Sequence, residues 1–271
     1  MERSIEVNRE RCVHCGLCVG DCGAKCLAFD EEKFPTLITG GGRGCMGCQH
    51  CMAICPAGAI SVGGVDPDGL PAAVCADPDE LLGMIRSRRS VRAYKEEDVS
   101  AEKLEKIREM LHYPPTGGNL DNLHFTIIGT REKMDGLRRA TYGGLSTVTE
   151  DSPLFGMKDF LEESWSAGRD IIYAGAPAMI MAAVSETMFA PNCDIVDPII
   201  ALSYFELFAS SLGLGTLWDD CAYMAAKAIP EVCDMLRIPE GYRPAFALVF
   251  GEPETRYRRA AQKDAHSITM L

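Results

Sequence analysis

Eight cysteines carry the strongest chemical signal in the chain. Cys12, Cys15, Cys18 and Cys22 follow a C-x2-C-x2-C-x3-C spacing, and Cys45, Cys48, Cys51 and Cys55 repeat it 33 residues on. A cubane iron–sulfur centre needs four thiolates, one per iron. A C-x2-C-x2-C loop curls tightly enough to offer three of them. The fourth must come from farther away, and where two such runs share a fold it comes from the other run. That rule groups Cys12, Cys15, Cys18 and Cys55 around one [4Fe–4S] cluster. It groups Cys45, Cys48, Cys51 and Cys22 around a second. A pair of four-cysteine zinc sites is the competing reading, because such sites also use C-x2-C pairs. Zinc sites seldom place three cysteines in one loop, twice over.

Arginine carries the next signal. Arg86, Arg88, Arg89 and Arg92 lie within seven residues, with Ser90 among them. A planar guanidinium fork matches phosphate oxygens, and a serine hydroxyl adds a further donor. The same cluster also reads as a solvated basic face. Farther on, Pro114, Pro115, Thr116, Gly117, Gly118 and Asn119 form a stiff turn that ends in glycines and an amide. Glycine permits close backbone approach to a ligand, and Asn119 offers both a donor and an acceptor. Gly213-Leu214-Gly215-Thr216-Leu217-Trp218 sets a flexible backbone beside a large aromatic ring. It is not a dinucleotide fingerprint, since it follows a helical pattern rather than a strand. Arg256, Arg258 and Arg259 form a second basic cluster after Gly251-Glu252-Pro253.

These residues need elements to hold them. The 33-residue cysteine repeat implies two copies of one small unit, packed face to face. Residues 63–71 are dense in Gly, Pro and Asp and have no periodicity, as a linker would be. The organisation expected is a cluster domain at 1–66, a linker at 67–76 and a second domain at 77–271. In that second part, Asp77 or Asp79 caps a helix through Leu81, Leu82 and Ile85. Ser100 caps another, with Leu104, Ile107 and Leu111 on one face. Residues 125–128, 179–184 and 245–250 read as strands. Residues 197–212 are apolar almost all round, so that helix must be buried in a core or a subunit interface. The fold class is α+β.

Composition narrows the function classes. The net charge of −12 argues against nucleic acid and against an anionic membrane surface. The longest apolar run, 174–184, is too short to span a bilayer, and the N-terminus lacks a signal-peptide core. A cytoplasmic protein is expected. Ten of the 13 cysteines precede residue 76. That distribution favours metal ligation over a disulfide scaffold.

Residues 4–63 resemble the bacterial two-cluster ferredoxins, with Cys55-Pro56 completing the family's C-x2-C-x2-C-x3-C-P run. The first copy has Gly23 where proline is usual, which leaves Cys26 as a competing ligand. Residues 77–265 resemble the FMN-dependent nitroreductase family. In that family an R-R-S-x-R segment binds the FMN phosphate and ribose, a P-S-x-G-N loop meets the flavin ring, an L-G-L-G-T-x-W segment flanks it, and a late arginine returns to the phosphate. The matching residues are Arg88, Arg89, Ser90 and Arg92; Pro115, Thr116, Gly117 and Asn119; Gly215, Thr216, Leu217 and Trp218; and Arg259. Asp121 stands where a neutral amide often contacts flavin. Asp219 and Asp220, after Trp218, could alter its potential or face solvent.

Together the resemblances imply a ferredoxin-like module followed by a nitroreductase-type α+β domain, with a central mixed sheet and surrounding helices. They imply a homodimer with FMN at the subunit interface. Electrons would enter from a low-potential donor through the clusters and leave the flavin to a small organic acceptor, such as a nitro compound, quinone or activated alkene. No protein nucleophile or general base is called for, the chemistry lying at the flavin. The other reading is an electron-transfer flavoprotein that passes electrons between redox proteins without turning over a small molecule.

Overall fold

A computed structural model describes residues 4–38, 44–187, 191–262 and 266–271. It divides into two compact units. The first comprises Met1–Cys75 with Gly118–Leu120; the second comprises Ala76–Gly117 with Asp121–Leu271.

The first unit is a doubled β–α–β element. One copy holds β1 (Ile5–Val7), α1 (Leu17–Asp21) and β2 (Leu27–Phe29). The other holds β3 (Pro35–Leu37), α2 (His50–Ala53) and β4 (Ile60–Val62). Each two-stranded ladder takes one strand from each copy: β1 pairs antiparallel with β4, and β2 with β3. The backbone repeats as the cysteines do. Left-handed residues recur 33 apart, as His14 and Gly47 (φ 54° and 67°), Gly16 and Gln49 (76° and 61°), and Lys25 and Gly58 (52° and 53°). An L-residue rarely adopts such a φ unaided. His14 is held there by its Nδ1, which donates to Lys33 O at 3.0 Å, and by its ring, 4.4 Å from that of Phe34. Leu27, Met52, Ile60 and Val62 form a small core with Cys18 and Cys51.

The second unit opens with α3 (Pro78–Ser87) and α4 (Ala101–Met110). There follow β5 (Leu123–Ile128), α5 (Arg131–Gly144), α6 (Lys158–Ser166), β6 (Ala178–Ser185) and α7 (Cys193–Ser211). The chain continues through β7 (Gly215–Trp218), α8 (Asp220–Ala228), α9 (Pro230–Leu236) and β8 (Tyr242–Gly251). Asp77 caps α3 by accepting from Asp79 N and Glu80 N, both at 2.9 Å. Ser100 Oγ accepts from Lys103 N at 3.4 Å at the start of α4.

The strand order is β5-β6-β8-β7. The mixed sheet expected above is antiparallel instead in every named pairing. The helical connections account for this. Between β5 and β6, and again between β7 and β8, a pair of helices returns the chain to the end of the sheet it left. The single helix α7 makes β6 and β7 run the same way, but β8 inserts between them. Alternate residues of β6 feed two cores, as strand geometry requires. Met179 and Met181 face one with α5, α8 and α9; Ile180 and Ala182 face the other with Ile107 of α4 and Leu202 and Phe205 of α7. Among the described residues no helix is long and apolar enough to cross a membrane.

Candidate functional site

In the first unit, Cys12, Cys15 and Cys18 of the first loop line one cavity together with Cys55 of the second. The left-handed Gly16 turns the chain back so that α1 returns Cys18 toward the loop. Arg11 links the two runs. Its Nε donates to Ala57 O at 3.0 Å, and its two Nη groups donate to the Asp68 carboxylate, each at 2.8 Å. The residue before Cys12 is thereby tied to the loop that follows Cys55.

Around the second loop, Cys45 and Cys48 both lie within electrostatic reach of buried Cys51. Cys22 Sγ stands 3.5 Å from Cys26 Sγ, and Cys26 in turn senses Cys45. Both candidates for the fourth position therefore stand near one another. Backbone N–H groups point at sulfur: Gly47 N donates to Cys45 Sγ at 3.3 Å, and Ala59 N to Cys55 Sγ at 3.2 Å. Among the described residues no group of three or more His, Cys, Asp or Glu is gathered tightly enough for a single metal ion. A cubane gives each thiolate its own iron, so its ligands stand wider apart than those of one ion.

In the second unit, the arginine segment is stitched to β7. Ser90 forms a parallel bridge with Thr216, and Val91 N donates to Thr216 O at 2.9 Å. This approach needs a glycine, because a Cβ on Gly215 would stand 2.6 Å from Val91 Cγ2. Arg88 Nη1 donates to Glu206 Oε1 at 3.0 Å, and Thr216 Oγ1 donates to the same oxygen at 3.3 Å. Arg89 Nη1 donates to the carbonyls of Arg86 and Arg88. Arg92 is exposed, its Nη1 3.4 Å from Ser90 O. Arg86, Arg88 and Arg89 line a cavity of about 620 Å³ with Ala260, Ala261 and Gln262. Pockets for cofactor-sized ligands span ~300–1,000 Å³. Ala261 N donates to Arg86 O at 3.4 Å, which brings the segment just after exposed Arg259 beside the arginines.

Residues 114–117 of the proline–glycine loop lie elsewhere in this unit. Thr116 and Asp121 line a separate cavity of about 550 Å³ with Arg108, His112 and His124. Burial lowers the His124 pKa. Thr116 Oγ1 accepts from Asp121 N at 3.1 Å, so Asp121 is turned into the loop by its backbone. Pro115 precedes Gly117, whose N–H donates to both carboxylate oxygens of buried Asp197 at 3.0 and 3.2 Å. Asn119 closes the short turn Gly117–Asn119 at φ 54° and belongs to the first unit. On β7, Leu217 packs against the core shared with α5, and Trp218 sits 5.4 Å from the ring of Phe246. Two of the four expected segments, the arginines and the Gly215–Trp218 strand, are thus brought together, and residues 260–262, just after Arg259, lie beside the arginines.

Two acids escaped the sequence reading. Asp197 and Glu206 stand about two and a half turns apart on α7, hence on opposite faces. One holds Gly117 and the other holds Arg88. Their signal was present: a charged residue inside an otherwise apolar helix needs a buried partner. Asp219 and Asp220 part ways. Asp220 is exposed, while Asp219 is 4% exposed and caps α8 by accepting from Ala222 N at 2.8 Å. Its Oδ2 has no partner, and burial pushes its pKa up to about 7, with Asp170 and Asp220 adding to the shift.

Known proteins share the architecture of the second unit. A nitroreductase with bound FMN from Bacteroides fragilis superposes with a TM-score of 0.58 at 24% identity, over 71% of this chain and 98% of that one. Another with bound FMN, from Desulfitobacterium hafniense, gives 0.57 at 26% identity over the same shares. An FMN reductase [NAD(P)H] from Bacillus subtilis is 26% identical over 187 residues, 66% of this chain and 68% of that protein. The model of the nitroreductase family matches residues 85–252, more than half of the sequence, and the chain belongs to that family.

Proposed function

We propose that this protein is an FMN-dependent oxidoreductase of nitroreductase type that receives electrons through two [4Fe–4S] clusters and reduces a small organic acceptor. The observation that carries the cluster half is the cavity lined by Cys12, Cys15, Cys18 and Cys55, which draws its fourth thiol from the other run. Cys45, Cys48, Cys51 and Cys22 would hold the second cluster. The donor set fits, being all sulfur with backbone N–H groups aimed at it. For the flavin half, the arginine-lined cavity fits a phosphate monoester in charge and size. The FMN-bound relatives support the choice of flavin.

When bound, the clusters supply single electrons and FMN supplies one- and two-electron chemistry that ends in reduction of the acceptor. The chain's own residues bind and position. Arg88, Arg89, Ser90, Arg92 and Arg259 would hold the phosphate end. Pro115, Thr116, Gly117, Asn119 and the segment Gly215, Thr216, Leu217 and Trp218 would border the ring. A homodimer with FMN at the subunit interface would cover the exposed apolar residues Leu81, Leu82 and Ile85 of α3 and Ile195, Val196 and Tyr204 of α7. Thirteen free cysteines suit a reducing, cytoplasmic setting. The electron source would be a low-potential donor.

The test is analytical first. Protein prepared anaerobically should hold about eight irons and one FMN per chain, two clusters of four irons each. Cys48→Ala should lose one cluster signal, and Arg88→Ala/Arg89→Ala should release FMN. Zinc in place of iron, or no flavin, would overturn the reading. Oxidation of the reduced protein by a panel of nitro compounds, quinones and activated alkenes then separates an enzyme from a carrier between redox proteins.

A further inference from the structure

Glu206 is buried, at 9% exposure, in a largely apolar helix, between Phe205 and Leu207. A carboxylate in such a place is costly unless it is paired and hydrogen-bonded. Both partners meet one oxygen: Arg88 Nη1 at 3.0 Å and Thr216 Oγ1 at 3.3 Å. Those partners come from the two segments that the Ser90–Thr216 bridge and the Val91 N–Thr216 O bond already join. Glu206 therefore ties α7, the arginine segment and β7 at one point. An arginine carries five N–H donors in a rigid fork. Glu206 engages Nη1, and Arg88 also lines the cavity shared with Arg86 and Arg89.

We propose that Glu206 is a positioning residue that fixes the Arg88 guanidinium so that its remaining donors are presented to a phosphate monoester in the arginine-lined cavity. This rests on the reading of that cavity as the phosphate end of the flavin site. Charge alone predicts the opposite role. Glu206 cancels one positive charge near the cavity, so if it served only to neutralise Arg88, removing its charge would tighten an anionic ligand. Positioning predicts a loss, because an untethered guanidinium must be ordered again on each binding event. The sign of the effect separates the two.

The experiment uses the full, cluster-loaded chain stripped of flavin, with binding followed by quenching of flavin fluorescence. The probes are FMN and riboflavin, which differ by the phosphate. Glu206→Gln keeps the shape and an acceptor for Thr216. It should weaken FMN about tenfold, the scale of one charge-assisted hydrogen bond, and leave riboflavin within about twofold. In an Arg88→Ala background it should add nothing, since the residue it acts through is gone. Glu206→Asp, which keeps the charge but draws the carboxylate back from Arg88, should weaken FMN by a smaller factor and spare riboflavin; it serves if Glu206→Gln fails to fold. Tighter FMN binding by Glu206→Gln, equal losses for the two flavins, or effects additive with Arg88→Ala would overturn the proposal. Arg88→Ala with unchanged FMN affinity would overturn the phosphate reading itself, a result distinct from the others.

Discussion

Val91 N–H donates to the Thr216 carbonyl at 2.9 Å, and this bond closes the outer edge of the sheet. β7 is an edge strand, and an uncovered edge presents unpaired N–H and C=O groups. Ser90 and Val91 lie along it and place the arginine segment beside Gly215–Trp218.

That placement depends on the absence of a side chain at Gly215, where a Cβ would meet three carbons of Val91 within 2.9 Å. Gly215→Ala should cost about 1–3 kcal/mol in urea unfolding, the usual scale of overpacking. Val91→Ala beside it should return part of that loss, so the double variant falls short of the sum of the singles. Simple additivity would show that the two residues do not share the space.

The two fourth-position cysteines should differ. Cys55 lines its cavity with the first-loop cysteines, whereas Cys22 has Cys26 Sγ 3.5 Å away. Cys55→Ala should abolish one cluster, while Cys22→Ala should retain more iron and sulfide by substitution of Cys26. The double Cys22→Ala/Cys26→Ala should then lose the second cluster. Iron and sulfide content and low-temperature electron paramagnetic resonance check this, and equal loss in both single variants would count against it.

Asp219 should make stability fall with rising pH. Its folded-state pKa of about 7 lies above the unfolded value of 3.8, chiefly through burial. Between those values the folded state binds the extra proton. The contribution is therefore full below the unfolded pKa, declines as pH rises toward 7 and is lost above it. The slope approaches about 1.4 kcal/mol per pH unit. Asp219→Asn, which can still cap α8, should flatten the profile between pH 5 and 7 by about one proton in denaturant titrations. An unchanged slope would show that Asp219 ionises normally.

Arg138 is a structural counterpart to the site's arginines. Its side chain is buried and donates to Asp170 at 2.7 Å, to Asp135 at 2.7 Å and to Ala176 O at 2.5 Å. Asp170 is nearly buried as well and also accepts from Tyr142 Oη, Tyr173 N and Gly175 N. Arg138→Ala should cost about 3–5 kcal/mol, because it strands a buried carboxylate. Chemical denaturation measures this, and a loss below about 1 kcal/mol would place the pair in the class of surface bridges.

Local features were legible in the sequence. The caps at Asp77 and Ser100, the strands within 123–128 and 178–185, and the doubled cysteine unit all follow from spacing and side-chain chemistry that act within a few residues. The family followed from several such short patterns in order. The partners of single charges did not. Glu206 and Asp197 look alike in the sequence, as acids inside one largely apolar helix, yet they face opposite ways and hold different loops. Asp219 and Asp220 are neighbours, and one is buried while the other is in water. Strand direction was equally hidden, because β8 reaches its place between β6 and β7 only after the whole chain has been laid down. The sequence by itself determined which groups are present and which local turns they adopt. Which buried charge meets which partner was decided by the tertiary fold, since a long-range contact depends on how distant segments stack and not on the residues next to it.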